Sequence, residues 1–440
     1  MTRYIEIAQS EFVHLVRSPF KTISLILFGA AVIYGCQNGY DLFKTHNNEI
    51  MSIQANNDKS IANMILQYEE IEQGTIDKPR RDPTIPYWAV WNTPSHAFKY
   101  PSPMMVFSLG QSEQYGYYKR VTNWSTIFDS DLAEEIANPE RMAIGTLDLN
   151  FVLIYLTPIL IIILLFNIGG LEKDLRFDNL IYLNNISKER WLLARFSFYY
   201  LLTVILLFML ITPYALFSGV LQSASLEFFH LLLIISLYLL IWFTTFFFIN
   251  VSGNGSSDHA LKMISVWLVF CIIIPGAIHQ ISSLKYPTNY MTDYLDVSRD
   301  QSNKIFELPS ETLREELLKA FPSLQTTLYA TDTSMNKAII NRSLSGLVNI
   351  LNKDVARTIE WSSEKKNKFI KSYSRLNPVI YFQNEINALT DTDYYAYKKY
   401  RSDIQEMIDI KINLILEDTW NKVTVDKEKY IQYVERFKKL

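Results

Sequence analysis

Along this chain, windows that are almost wholly apolar are separated by windows that are polar, charged and helix-like. Five apolar windows stand out, at about 21–40, 150–170, 192–219, 227–250 and 261–281. A hydrocarbon core about 30 Å thick needs roughly 20 apolar residues of helix, so each window is predicted to cross a membrane. None holds a charge near its centre, where one costs about 2.5–3.5 kcal/mol on insertion scales. Pro158, Pro213 and Pro275 interrupt three of the windows, as membrane helices tolerate when neighbours re-satisfy the freed backbone groups.

The polar windows fill in the rest. Residues 1–20 are predicted to hold an interfacial amphipathic helix over 3–17: Ile5, Ala8, Phe12, Leu15 and Val16 share one face, with Arg3, Glu6, Ser10, Glu11 and Arg17 elsewhere. Pro19 then breaks the pattern. The first apolar window is not read as a cleaved signal peptide, because it begins late and ends in "YGCQNGY". Residues 41–149 open with helix-like sequence to about Gln73 and continue through a Pro- and aromatic-rich stretch. That stretch predicts irregular chain with short strands. Trp88, Trp91 and Trp124 there read as packing anchors rather than a ligand surface. Residues 282–440 read as mostly helical. Ser310 is placed as an N-cap ahead of Leu313, Leu317, Leu318 and Phe321, a longer helix follows over about 333–361, and another runs from Tyr394 to Trp420.

The expectation is therefore an all-α polytopic membrane protein with about five transmembrane helices and two mainly helical extracytoplasmic domains, the first possibly α+β. Orientation follows from the short loops. The segment 171–191 carries Lys173, Arg176, Lys188 and Arg190, with Arg195 just beyond, whereas 220–226 carries no Lys or Arg. Positive loops stay in the cytoplasm, so the N-terminus, 171–191 and the turn 251–260 are expected inside. Residues 41–149 and 282–440 are expected outside.

Composition changes this picture little. The net charge is −3, which gives no global electrostatic reason to expect nucleic acid. The basic aromatic run "YYAYKKYR" (394–401) reads as a solvated helix face. Cys36 and Cys271 both lie in apolar windows and lack metal spacing. The six histidines are scattered, and "SGNGSSDHALK" (252–262) lacks the Lys-Ser/Thr end of a phosphate-binding loop. No catalytic constellation emerges, so the chain is expected to be no enzyme and to hold no cofactor or metal of its own.

One polar stretch is out of place. "GGLEKDLRFDNLIYLNNISKERWLLARF" (169–196) carries nine formal charges between two of the greasiest windows. Glu172, Asp174, Arg176 and Asp178 are interleaved with Leu175, Phe177, Leu180 and Ile181. A helix over about 172–184 would gather Phe177, Leu180, Ile181 and Asn184 near one face, and Ser187 can cap the helix that follows. Two readings stay open: a lever on which another protein pushes, or a charged loop that only orients the flanking helices.

This stretch, with the "NPERMAIGTLDLNFVLIYLTP" run before it, resembles the ABC-2 type transporter permeases, in the branch with a large extracytoplasmic insert between the first two spans. The resemblance rests on Asn138, Pro139, Glu140, Gly145 and Asp148, on Phe151, Val152, Tyr155, Leu156 and Pro158, and on Glu172 just past the span. It touches most of the chain, including 101–122 and 376–400. The chain departs from the family at Arg176-Phe177-Asp178 and at Asn184–Ser187, and it shows no apolar window long enough to cross after Gln280, whereas family members usually add a sixth span after the second outer domain. The resemblance implies a bacterial inner-membrane subunit that works with a cytoplasmic ATPase dimer, where ATP and Mg bind, and with a second permease copy or a sibling. Coupling would run through Glu172, Asp174, Arg176, Phe177, Leu180, Ile181 and Ser187, with Phe12, Leu15 and Arg17 of the interfacial helix seated at the membrane lipid. It leaves the cargo open. Two alternatives remain: a mechanotransmission subunit that moves its outer domains without flux, and a membrane-anchored sensor.

Overall fold

The computed structural model describes residues 2–129, 131, 147–176, 187–252, 255–287, 294, 297–332 and 336–438. Those residues are overwhelmingly helical. The one sheet among them is an antiparallel pair, β1 (His96–Phe98) and β2 (Tyr118–Arg120), with Ala97 opposite Lys119. It falls in the Pro-rich stretch where short strands are expected.

Helix α1 (Thr2–Arg17) leads through Ser18 into α2 (Pro19–Glu72). Pro19 stands at the first position of α2, where its missing N–H is not needed. At 1.5 Å per residue α2 is a rod of about 80 Å. It is therefore both a candidate span and the first helix of the polar region. Among the described residues, four helices are long and apolar enough to cross a membrane: α2, α6 (Lys188–Phe217), α7 (Ser225–Ser252) and α8 (Ser256–Lys285). This is a membrane protein. The apolar helix α4 (Leu149–Leu165) is shorter, about 25 Å. A small helix α3 (Pro86–Asn92) precedes the hairpin, and a single turn, α5 (Leu171–Asp174), follows α4.

Local chemistry fixes several starts. Asp148 accepts the Phe151 N–H at the head of α4, and Ser187 accepts the Arg190 N–H at the head of α6, as expected. Each proline of α4 and α8 follows a π-helical turn, Val152–Leu156 before Pro158 and Val269–Ile273 before Pro275. Proline donates no N–H, so carbonyls in the preceding turn need other partners. The Ile154 oxygen accepts the Tyr238 hydroxyl at 2.7 Å, the Tyr155 oxygen accepts Trp267 Nε1 at 3.2 Å, and the Phe270 oxygen accepts Asn377 Nδ2 at 2.9 Å.

The last donor comes from the far polar segment. That segment comprises α9 (Val297–Phe306), α10 (Ser310–Ala320), α11 (Lys337–Tyr373), α12 (Pro378–Leu389), α13 (Tyr394–Trp420) and α14 (Lys427–Lys438). Pro309, not Ser310, sits at the cap of α10, and α11 runs a further three turns past the expected end near 361. Asn377 caps α12, whose Val379, Phe382 and Ile386 belong to the apolar cluster of the bundle.

A second apolar cluster draws on both polar segments. Tyr68, Ala89 and Phe128 join Leu317, Tyr397, Ile408 and Trp420 there. The segments expected at 41–149 and 282–440 thus share one core. The C-terminal helix returns to α2, where Lys427 pairs with Glu69 at 2.5 Å and Lys438 with Asp58 at 3.1 Å.

Candidate functional site

The end of the bundle at which α2 begins carries the densest buried charge. Arg195 lies in the third turn of α6 and is buried. Its Nε donates to Glu11 Oε1 of α1 at 2.5 Å, and its Nη1 donates to the Ile168 carbonyl at 2.8 Å. The same nitrogen donates to Glu172 Oε1 of α5. Tyr199, one turn along α6, donates to the other Glu11 oxygen at 3.0 Å. Lys21, at the head of α2, donates to the Leu164 carbonyl at 2.8 Å and stands 5.1 Å over the Tyr199 ring. Two carboxylates and two cations balance. A planar guanidinium can serve three acceptors at once, which an ammonium on a flexible stem does poorly.

The remaining membrane helices tie into the same turn. Asn250, near the end of α7, accepts the Gly169 N–H at 3.0 Å, and Lys188 Nζ donates to the Val251 carbonyl at 2.9 Å. Asp174 accepts the Ser256 N–H at 3.2 Å at the start of α8. Hydrogen bonding from Ser256 holds the Asp174 carboxyl below its ordinary value. Gly170 makes the approach possible, since a Cβ there would lie 2.3 Å from the Ser256 nitrogen. Residues 169–176 are therefore held directly by α6, α7 and α8, and α1 joins them through Arg195.

The expected site residues fall out as follows. Glu172 is inside the charge cluster. Asp174 is exposed but bonded to α8. Arg176 is exposed, with φ at +61°, in the left-handed region. Ser187 caps α6. Phe177, Leu180 and Ile181 lie outside the described residues, as do Asn138, Pro139, Glu140 and Gly145. On α1, Leu15 is 5% exposed, whereas Phe12 is 56% exposed and Arg17 is also at the surface. The face of α1 that meets the bundle is thus Ala8, Glu11 and Leu15. Ile5, Phe12, Val13 and Val16 point away from it. The physical reason is Glu11, whose carboxylate must be buried to reach Arg195 and draws that side of the helix inward.

Glu11, Lys21, Tyr199 and Asn250 escaped the sequence reading. For Arg195 a signal was there: a charge within an apolar helix implies a partner. For Glu11 the sequence carried no such signal.

The opposite end of α4 is also pinned. Asp148 Oδ2 accepts the Leu109 N–H at 2.9 Å, and Asn150 Nδ2 donates to Asn387 Oδ1 at 2.8 Å and to Ser108 Oγ at 3.1 Å. Through Asn387 this connects α4 to α12. In the polar region a cleft of about 510 Å³ opens between α11 and α13, lined by Glu360, Trp361 and Arg401 among others. Among the described residues there is no cluster of His, Cys, Asp and Glu that could hold a metal ion.

Comparison with known proteins brings no relative: no family model, no curated protein and no solved structure matches the chain.

Proposed function

We propose that this chain is the transmembrane permease subunit of an ABC-2 type transporter, driven by a separate cytoplasmic ATPase dimer that acts on the turn beginning at Leu171. The observation that carries the proposal is the convergence of α6, α7 and α8 on residues 169–176, with α1 joined to them through Arg195. A load applied to that turn reaches three helices directly, and α1 through Arg195, by short, directional contacts. Packed interfaces of this kind switch between discrete arrangements rather than yielding gradually. In this reading the Arg195 end faces the cytoplasm, in keeping with Lys173, Arg176, Lys188 and Arg190 around it. With α4 as the fifth span, both polar segments lie on the outer side.

A second reading has its own support. α2 runs unbroken from Lys21 in the charge cluster to Tyr68 in the core of the polar region, and α4 is pinned at both ends. Such rods suit a mechanotransmission subunit, which would move the polar region without passing a substrate.

The test is affinity isolation of the tagged full chain from its native membrane, with and without Glu172→Ala. A co-purifying nucleotide-hydrolysing subunit whose ATP turnover loses its coupling to the membrane subunit in the variant supports the proposal. A native assembly that contains no such subunit ends it. In liposomes, ATP-driven flux favours the permease, and ATP-driven displacement of the polar region without flux favours the second reading.

A further inference from the structure

At the junction of bundle and polar region, α11 ends in a run of positive charge. From Ser362 to Leu376 the sequence holds Lys365, Lys366, Lys368, Lys371 and Arg375 against a single carboxylate, Glu364, which already pairs with Lys368 and with Lys398. Lys365, Lys368, Lys371 and Arg375 are exposed. The turn that follows is apolar at its tip: Leu376 is 74% exposed, and Tyr373 and Tyr381 are exposed beside it.

The position of this turn relative to the bundle is fixed at two points. Phe369 meets Tyr286 just past the end of α8, where Lys285 Nζ lies 5.3 Å over the Phe369 ring. Asn377 bonds the Phe270 carbonyl, about 22 Å lower along α8 at 1.5 Å per residue. Between those levels α8 presents Ile272, Ile273, Ile281 and Leu284 to the surroundings. The chain from Phe369 to Asn377 therefore runs down the side of a membrane-crossing helix. It brings Leu376 to the level of that helix's apolar wall, with Lys371 and Arg375 on the descending stretch and Lys365 and Lys368 above it.

We propose that this turn is seated in the membrane leaflet at the end of the bundle opposite Arg195, and that Lys365, Lys368, Lys371 and Arg375 bind the phosphate headgroups of anionic lipids there. Long basic side chains beside an apolar tip lay their stems along hydrocarbon and raise their charges to the headgroups. The excess of cations is complementary to an anionic surface and decays with ionic strength. The tip exposes Leu376 as α8 exposes Ile272, Ile273, Ile281 and Leu284, and apolar surface of that kind selects a lipid over a soluble acidic partner. The inference needs only that α8 crosses a membrane and is independent of what the protein moves.

The test uses the full chain with Leu376→Cys carrying an environment-sensitive fluorophore, in bilayers of phosphatidylcholine with or without phosphatidylglycerol. The native thiols, Cys36 and Cys271, are buried. Spin-labelled phosphatidylglycerol should quench the fluorophore several-fold more than spin-labelled phosphatidylcholine. The preference should vanish in Lys365→Gln/Lys368→Gln/Lys371→Gln/Arg375→Gln, while quenching of a label at Leu237→Cys, on the exposed side of α7, stays unchanged and shows the variant to be folded and inserted. Inorganic phosphate should reverse the preference no more than sodium chloride of equal ionic strength. Absence of quenching by either lipid, equal quenching by both, or selective reversal by phosphate overturns the proposal.

Discussion

Replacing Arg195 by Met tests the buried charge cluster most directly. Methionine fills much of the same space and removes only the guanidinium. Two carboxylates then lose their cation, Glu11 with a side chain 5% exposed and Glu172 with one 14% exposed. The Ile168 carbonyl loses its donor as well. Removing one partner of a buried ion pair costs about 3–5 kcal/mol, most of it the penalty of the charge left behind. The double variant Arg195→Met/Glu11→Gln removes the most deeply buried stranded charge, so it should recover part of the loss. A coupling of about 1–3 kcal/mol between the two sites is expected, since contacting residues in one network are non-additive. Arg195→Lys should recover little, because an ammonium cannot span both carboxylates and the carbonyl. Unfolding of the wild type, Arg195→Met, Glu11→Gln, the double variant and Arg195→Lys in mixed micelles, followed by tryptophan fluorescence against denaturing detergent, gives all five free energies. A single-variant loss below about 1 kcal/mol, or additivity within about 0.5 kcal/mol, would refute the cluster as a load-transmitting contact.

Two further outcomes test the packing. Gly39 lies so close to the polar region that a Cβ there would stand 2.2 Å from the Val106 oxygen and 2.8 Å from its carbonyl carbon, both backbone; Gly39→Ala should therefore cost about 1–3 kcal/mol or more in the same assay. Gly276→Ala, where nothing stands within 4 Å, should be neutral or stabilising by up to about 1 kcal/mol, and equal effects at both positions would refute the close approach. Lys411 of α13 is fully enclosed, donates to the Val90 and Thr93 carbonyls, and burial pushes its pKa from 10.5 down to about 7, helped by the charge of Arg120. Between those values the unfolded chain binds the extra proton, so stability should rise as pH increases from about 7 towards 10 and lie flat below 7; thermal unfolding at pH 7 and pH 9.5 that shows the same slope in wild type and Lys411→Met would refute it.

Much of the architecture was legible in the residue pattern. Each apolar window forms an apolar helix, because a backbone in hydrocarbon has to satisfy its own polar groups and a helix does so locally. Ser187 and Asp148 cap as their side chains dictate. The helix from Tyr394 to Trp420 is capped by Asp393 and begins and ends where expected. The candidate site was only half legible. Glu172 and Ser187 could be picked out because they sit at the edges of apolar runs. Glu11 could not, because α1 offers two overlapping faces and only the position of Arg195, 184 residues away, selects between them. The same holds for α12. Its short apolar run reads as ordinary domain helix until Asn377 is seen to satisfy a carbonyl that Pro275 leaves open.

By itself, then, the order of polar and apolar residues determined that this is a helical membrane protein and that a charged turn follows the second apolar run. Those properties are set by backbone hydrogen bonding and by water's exclusion from hydrocarbon, which act within a few residues. Only the tertiary structure decided that the two polar segments share a core, that α12 leans into the bundle, and that Arg195 gathers Glu11 and Glu172. Each of those depends on one group's need for a partner far along the chain, and that need is met only once the helices have packed.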